Sequence, residues 1–482
     1  MNRRIVGPFN RVEGDLEVQL DIREHQVRDA WVVSPLYRGF EQMLRGKAPD
    51  DAMAYVPRIC GICSVAQSVA AAQSLANAQG LSVPANGRIA TNLILANENL
   101  ADHLTHFYLF FMPDFAREQY QAQNWFPSIE TRFKALKGSA TEQVLPARAQ
   151  FLHIMGLLAG KWPHTLAIQP GGNTVGVEAR TKTTLRMIIH EFRRFLEQVL
   201  FGDRLEAIIA LDSKAALEKW QDQASWESSD FRRFLHLSRL LHLERLGRAN
   251  DCFMSYGVYD EPQGRLFRSG IWQDMLKPLD TTLIHEDLSH AWMRDAKAPR
   301  HPFEGQTLPS LDNKDAYSWC KAPRLDGQVM EVGALARQVV DGHPMIRDLV
   351  ARSGGNVQNR VIARLLELAL VTLAMQRWVE ELVPGQPCHT QGNMPDESRS
   401  AGMIEAARGS LGHWLRLEKG RILNYQIIAP TTWNFSPRDA SGTRGALEQA
   451  LIGAPAGTDE ENPVSVQHIV RSFDPCMVCT VH

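Results

Sequence analysis

The sequence predicts a mainly α-helical protein with a small β element at its N-terminus, folded as one interwoven unit over residues 1–482. Three observations predict this. Apolar and charged residues alternate only near the start. Long stretches after Cys63 repeat apolar residues at three-to-four spacing. Two C-x-x-C pairs, Cys60/Cys63 and Cys476/Cys479, stand near opposite ends of the chain.

The β element comes first, in about the first 35 residues. From Val12 to Val33 the runs Leu16-Val18-Leu20-Ile22 and Val27 to Val33 have the period of two that places every other side chain on one face of a strand. A hairpin packed on a core is expected. Helical stretches follow at roughly 64–79, 87–112, 143–160, 175–202, 204–222, 229–246, 331–352 and 357–382, rich in Ala, Leu, Arg and Glu. Between them, Pro/Gly-rich breaks at 113–114, 162–174, 257–264, 298–310, 384–396 and 453–463 read as loops, with no self-similar period. A length of 482 residues would ordinarily suggest several domains. If the cysteine pairs share a metal, however, the two ends must meet, and independent domains would contradict that chemistry.

Composition excludes several classes. Lys+Arg 52 against Asp+Glu 54 leaves no net field for nucleic acid or anionic lipid. No window approaches the roughly 18 uncharged apolar residues that a membrane helix requires, and the start MNRRIVGPFNRVEG has no apolar leader region, so a cytoplasmic protein is expected. Seven cysteines, an odd number with four in C-x-x-C pairs, fit reduced metal binding better than a disulfide framework. Each pair alone could be a redox dithiol or half of a zinc site, and spacing does not choose.

The flanks narrow the choice. Arg58-Ile59-Cys60-Gly61-Ile62-Cys63 and Asp474-Pro475-Cys476-Met477-Val478-Cys479-Thr480-Val481-His482 resemble the paired signatures of nickel-iron hydrogenase large subunits. The resemblance extends through Arg11-Val12-Glu13-Gly14, Arg38-Gly39-Phe40-Glu41, Trp162-Pro163-His164 with Gly171-Gly172, and Trp319 to Arg324. It continues in Glu331-Val332-Gly333, Ala407 to His413, and Pro430 to Asn434 with Pro437-Arg438-Asp439. It implies that family's large-subunit fold. It also implies a nickel held by four thiolates, terminal from Cys60 and Cys476 and bridging from Cys63 and Cys479 to an iron carrying carbon monoxide and two cyanides. Soft thiolates suit such a centre. Cys252, Cys320 and Cys388 have no paired partner and read as plain thiols.

The same resemblance assigns the surroundings. Glu13 corresponds to a proton-relay carboxylate, although a hairpin-capping glutamate would look the same. Arg408 corresponds to an arginine suspended over the metals and Asp102 to its partner, although any buried ion pair would give this pattern. Ala407 stands where relatives have proline, beside the diatomic ligands, and Thr431 matches a hydroxyl that hydrogen-bonds a cyanide. Glu41, the Ile427 carbonyl and His482 correspond to magnesium ligands, the plain alternative being a salt bridge from Glu41 to His482. The large subunit of this family holds no iron–sulfur cluster, so an iron–sulfur-containing small subunit is the expected partner.

Three positions point within the family toward its hydrogen-sensing, regulatory members, with a histidine kinase as a further partner. Gln67 stands where most relatives have histidine, and Ile62 and Phe110 are bulkier than the Val and Leu common along the gas route. The expectation is heterolytic cleavage of H2 as a slow sensor; an energy-conserving uptake hydrogenase is the alternative.

Overall fold

Strand β1 (Arg4–Val6) pairs with β2 (Glu17–Arg23), and β2 pairs with β3 (Gln26–Val33), in an antiparallel sheet of order β1-β2-β3. The hairpin expected from alternation is β2–β3. Its turn is made by Glu24 and His25, both at positive φ (52° and 57°), which matches the twist of the flanking strands. Leu16, Val18, Leu20, Val27 and Val32 are buried, and Val18 lies opposite Val32. At three residues, β1 is too short to show a period. These features come from a computed structural model that describes residues 4–294, 298–456 and 463–482; the break expected at 453–463 therefore lies partly outside the described residues.

Helix α1 (Ser64–Gln79) has the predicted bounds. Its alanine content reflects a close approach: a Cβ on Gly402 of the sheet behind it would sit 2.0 Å from the Ala70 carbonyl oxygen. Helix α2 (Ala85–Thr105) continues into a π turn, His106–Phe111, so the stretch expected to 112 is one element with a change of winding. The stretch expected at 331–352 is two helices, α3 (Ala334–Asp341) and Pro344–Ser353. Gly342 at φ 100° ends the first, and Pro344 can begin a helix but not continue one. Likewise 204–222 divides into Leu205–Ile209 and Lys214–Gln221, the latter capped by the Ser213 hydroxyl. Helix α4 (Val357–Glu381), capped by Asn356, is apolar around much of its circumference and runs through the core.

The β content is larger than the sequence suggested, and this corrects the confinement of strands to the first 35 residues. Strands β4 (Ser398–Ala406), β5 (Gly409–Glu418) and β6 (Arg421–Ile428) form an antiparallel meander, and short strands recur between Phe253 and Leu325. Residues 409–415 of β5 are all buried, so the alternation that marks a half-solvated strand is absent there. The chain ends with helix α5 (Val464–Ser472) and a single turn, Met477–Thr480. One apolar cluster runs from Val6 to Cys479, packing the two ends of the chain together. Among the described residues, no helix is long and apolar enough to cross a membrane.

Candidate metal centre

The two cysteine pairs meet. Cys60 follows a 3₁₀ turn, Val56–Ile59, and Cys63 is the residue before the first turn of α1; Cys476 holds the same place before Met477–Thr480. Their sulfur atoms lie 3.5 Å apart for Cys60–Cys476 and 3.0 Å for both Cys63–Cys479 and Cys476–Cys479. All four side chains are buried, with ligand atoms within 4.8 Å of one another.

Two features bring the segments into register. The Glu13 carbonyl accepts from Met477 N (2.7 Å) and Glu13 N donates to the Pro475 carbonyl (3.4 Å), so Arg11–Gly14 lies as a short parallel bridge against the second cysteine segment. Gly14 is required there. At φ 82° it occupies left-handed space, and a Cβ would meet Val478 N at 3.1 Å. Arg38 donates from one guanidinium nitrogen to both the Ile59 and Val478 carbonyls, one residue before Cys60 and Cys479 respectively.

The electrostatics of the four thiols fit a cationic occupant. Hydrogen bonding from Cys476 and the other thiols holds Cys60 well below the ordinary thiol range. Neighbouring sulfurs and burial push Cys63 well above it, and burial first, then the other sulfurs, does the same to Cys479. One thiolate forms readily, and four in a buried space require positive charge among them. Cys252, Cys320 and Cys388 are buried outside this cluster; Cys320 donates to the Lys321 carbonyl.

Ala407 and Arg408 are the two residues at the tip of the β4–β5 hairpin, between the paired Ala406 and Gly409. Arg408 is buried and gripped from two sides. Nη2 donates to Asp102 Oδ1 and Asp474 Oδ1, both at 3.1 Å, and Nε donates to the Asp474 carbonyl at 2.8 Å. Nη1 lies 2.8 Å from Asp102 Oδ2 as an ion pair but has no aligned hydrogen-bond partner among the described residues, which leaves a guanidinium donor for a bound group. Burial opposes the charge on Arg408, yet Asp102, Asp474 and the nearby Cys476 and Cys63 more than restore it. Burial raises Asp102 to about 7. Glu13, half-buried, is also raised, by burial and then by Cys60. Thr431 Oγ1 accepts from Cys476 N at 3.1 Å, and its own hydroxyl proton remains to be donated.

Glu41, Ile427 and His482 also converge. His482 Nε2 lies 2.8 Å from the Ile427 carbonyl oxygen and 3.5 Å from Glu41 Oε1, while His482 Nδ1 is 2.9 Å from the Cys479 carbonyl. Adjacent ligands of an octahedral magnesium at ~2.1 Å stand about 3 Å apart, and the two separations from His482 Nε2 are near that value. Lys321 Nζ lies 3.6 Å from Glu41 and 2.8 Å from Glu286. Burial would raise Glu41, but Lys321 and His482 bring it down to about 2.

Gln67, one turn beyond Cys63, is buried and its Oε1 takes the Nε2 proton of His413, whose Nδ1 faces Tyr425 at 2.8 Å. Ile62 is partly buried between the first cysteines, and Phe110 is partly buried in the π turn beyond Asp102, its carbonyl accepting from Arg11.

Sequence reasoning quoted Arg38 and Asp474 within motifs without giving them a role; their partners are 21 to 440 positions away, and no local pattern reports that. It missed Glu98 altogether. From the middle of α2, Glu98 accepts from Val65 N and Ala66 N (both 2.9 Å) and from Trp162 Nε1 (3.0 Å), capping the N-terminus of α1 that follows Cys63.

Known proteins are similar to this chain. The family described as Nickel-dependent hydrogenase matches residues 38–122 and 142–482. The periplasmic NiFeSe hydrogenase large subunit of Desulfomicrobium baculatum is 30% identical, covering 99% of this chain and 94% of its own. The uptake hydrogenase large subunit of Azotobacter chroococcum mcd 1 is 27% identical over 100% of this chain and 95% of its own. The structure of the H2-activated NiFeSe hydrogenase of Dm. baculatum superposes with a TM-score of 0.86 at 28% identity, covering 100% of this chain and 99% of that one.

Proposed function

The chain belongs to the nickel-dependent hydrogenase family, as a large subunit, and from that premise we propose that it oxidises H2 at a nickel-iron centre held by Cys60, Cys63, Cys476 and Cys479 and passes the electrons to an iron–sulfur small subunit. The observation that carries this is the burial of four thiols from opposite ends of the chain in one cluster, with Arg408 charged beside them. The whole chain would then act as one interwoven unit, because neither end holds the site alone.

When bound, the centre supplies the Lewis-acidic, redox-active position at which H2 is cleaved to two protons and two electrons. The protein's own groups manage the rest. Glu13, whose affinity for a proton is raised by burial and by Cys60, accepts one released proton and hands it outward. Arg408, fixed between Asp102 and Asp474, keeps a positive, hydrogen-bonding group at the cluster. Thr431 ties down the Cys476 amide, and its hydroxyl proton would be available to a cyanide on iron; Ala407 stands next to Arg408 at the hairpin tip, where it would lie near the same ligands. Glu41, the Ile427 carbonyl and His482 would hold a magnesium that ties the last residues to β6.

The relatives reverse the order of roles expected from the sequence. Their names, an uptake hydrogenase and a periplasmic hydrogenase among them, support energy-conserving H2 uptake. Sensing, with a histidine kinase partner, rests on Gln67, Ile62 and Phe110 alone. The test is metal analysis and infrared spectroscopy of the chain purified with its partner, together with H2-dependent dye reduction. Nickel, iron and bands for iron-bound carbon monoxide and cyanide are expected, and Cys60→Ser should lose nickel while Cys388→Ser keeps it. Full nickel and parent activity in Cys60→Ser would overturn the assignment.

A further inference from the structure

Behind the Arg408 hairpin lies a second charge cluster, completely buried, that touches neither the thiols nor solvent. Arg337 of α3 uses every guanidinium donor. Nε and Nη2 fork onto Glu367 of α4 (3.1 and 2.7 Å), and Nη1 reaches Glu405 of β4 (2.9 Å). The remaining bonds go to the two carbonyls just before Arg408: Nη1 to Ala406 (2.8 Å) and Nη2 to Ala407 (3.0 Å). Glu367 also meets His103 Nε2 at 3.1 Å, and His103 is the neighbour of Asp102 on α2. Glu405 takes the Ser410 hydroxyl and Tyr256 N, so both sides of the hairpin tip are tied to it.

The cluster thus holds a residue adjacent to each member of the Arg408–Asp102 pair. Stability does not explain it, since well-packed apolar side chains commonly replace a buried ion triad at no loss. The geometry calls for arginine specifically, because a planar fork serves four acceptors in fixed directions and an ammonium cannot. Neither Ala407 nor Arg408 carries a ring or branch that would stiffen the turn, while Gly409 at φ 130° allows the hairpin to pack closely on Gly333, where a Cβ would sit 2.6 Å from the Gly333 nitrogen. We propose that Arg337, with Glu367 and Glu405, is a positioning residue for H2 oxidation: it fixes the tip that aims Arg408 and sets Arg408 against Asp102. This rests on the hydrogenase reading.

The experiment uses the enzyme with its partner subunit and the variant Arg337→Lys, alone and combined with Arg408→Lys. Nickel content should match the parent, while amide exchange over residues 404–411 should rise about tenfold or more with residues 464–472 unmoved. H2 oxidation should fall by about tenfold or more in kcat with KM for H2 unchanged, and Arg337→Lys should cost nothing further in the Arg408→Lys background, as expected when one residue acts through another. Unchanged exchange at the hairpin, parent kcat, or a full multiplicative loss in the double variant would each overturn the inference. If Arg337→Lys does not assemble, Glu367→Gln takes its place with the same readouts, because it weakens the fork that aims Arg337 at both carbonyls while keeping the side-chain shape; failure of both to assemble also overturns it, assigning the cluster to the fold as a whole. A parent with neither nickel nor H2 oxidation would instead sink the hydrogenase reading, and this inference with it.

Discussion

Arg408 and Asp102, 306 positions apart in sequence, face each other side-on, with Nη1 2.8 Å from Oδ2 and Nη2 3.1 Å from Oδ1. Asp102→Asn keeps the shape and removes the charge. Losing one partner of a buried pair typically costs ~3–5 kcal/mol, and less is expected here because Asp474 still accepts from Arg408. Nickel should remain, and H2 oxidation should fall by roughly ten- to a hundredfold as the guanidinium swings toward Asp474. Parent turnover in a nickel-replete Asp102→Asn enzyme would show that the pair is structural only.

Glu13→Gln should leave the centre assembled, because the backbone of residue 13, not its carboxylate, pairs with the second cysteine segment. An amide cannot accept the proton. Turnover and hydrogen–deuterium exchange between gas and solvent should fall together by ~10²-fold or more, the usual scale of a lost general base. If exchange persists at the parent rate, the proton leaves by another route.

Gln67 and His413 form a buried pair that can be tested without the metal chemistry. Burial lowers His413 to about 3, so the ring is neutral. With the Tyr425 hydroxyl donating to Nδ1, the ring proton sits on Nε2 and goes to Gln67. Gln67→Ala strands that donor at a cost of ~1–3 kcal/mol, which chemical or thermal unfolding would register. Equal stability of variant and parent would mean that the imidazole finds another acceptor.

Glu448 carries a pH signature. Its Oε1 accepts from Val32 N (3.0 Å) and the Tyr317 hydroxyl (2.7 Å), joining the C-terminal part of the chain to β3, and burial raises it to about 7. The folded-state value is above the unfolded one, so the group favours the fold fully below pH 4.5. That contribution is lost as pH rises through about 7, at no more than ~1.4 kcal/mol per pH unit. Glu448→Gln abolishes it. The variant should therefore gain thermal stability relative to the parent between pH 5 and pH 8, and parallel profiles would place the titration elsewhere.

Much of the site was legible in the residues themselves because its chemistry is carried by rare side chains in short runs. The two C-x-x-C pairs are local signals, while Glu13 and the Glu41–His482 pair were picked out by the family resemblance of the short motifs that hold them, and the structure brings each group together. Helices α1 and α4 were legible for the same reason: their apolar spacing lies within one continuous segment. The sequence by itself determined the four paired thiols, the helical bulk and the N-terminal hairpin. The β4–β5–β6 meander was not legible, because burial along β5 erases the alternation that marks a strand. Only the tertiary structure decided that Asp474 as well as Asp102 grips Arg408, that Arg38 staples the two cysteine segments, and that Glu98 caps the helix after Cys63. The physical reason is shared. Hydrogen bonds and ion pairs between residues tens to hundreds of positions apart leave no periodic trace, and they form only when the burial of the apolar core brings the two ends of the chain together.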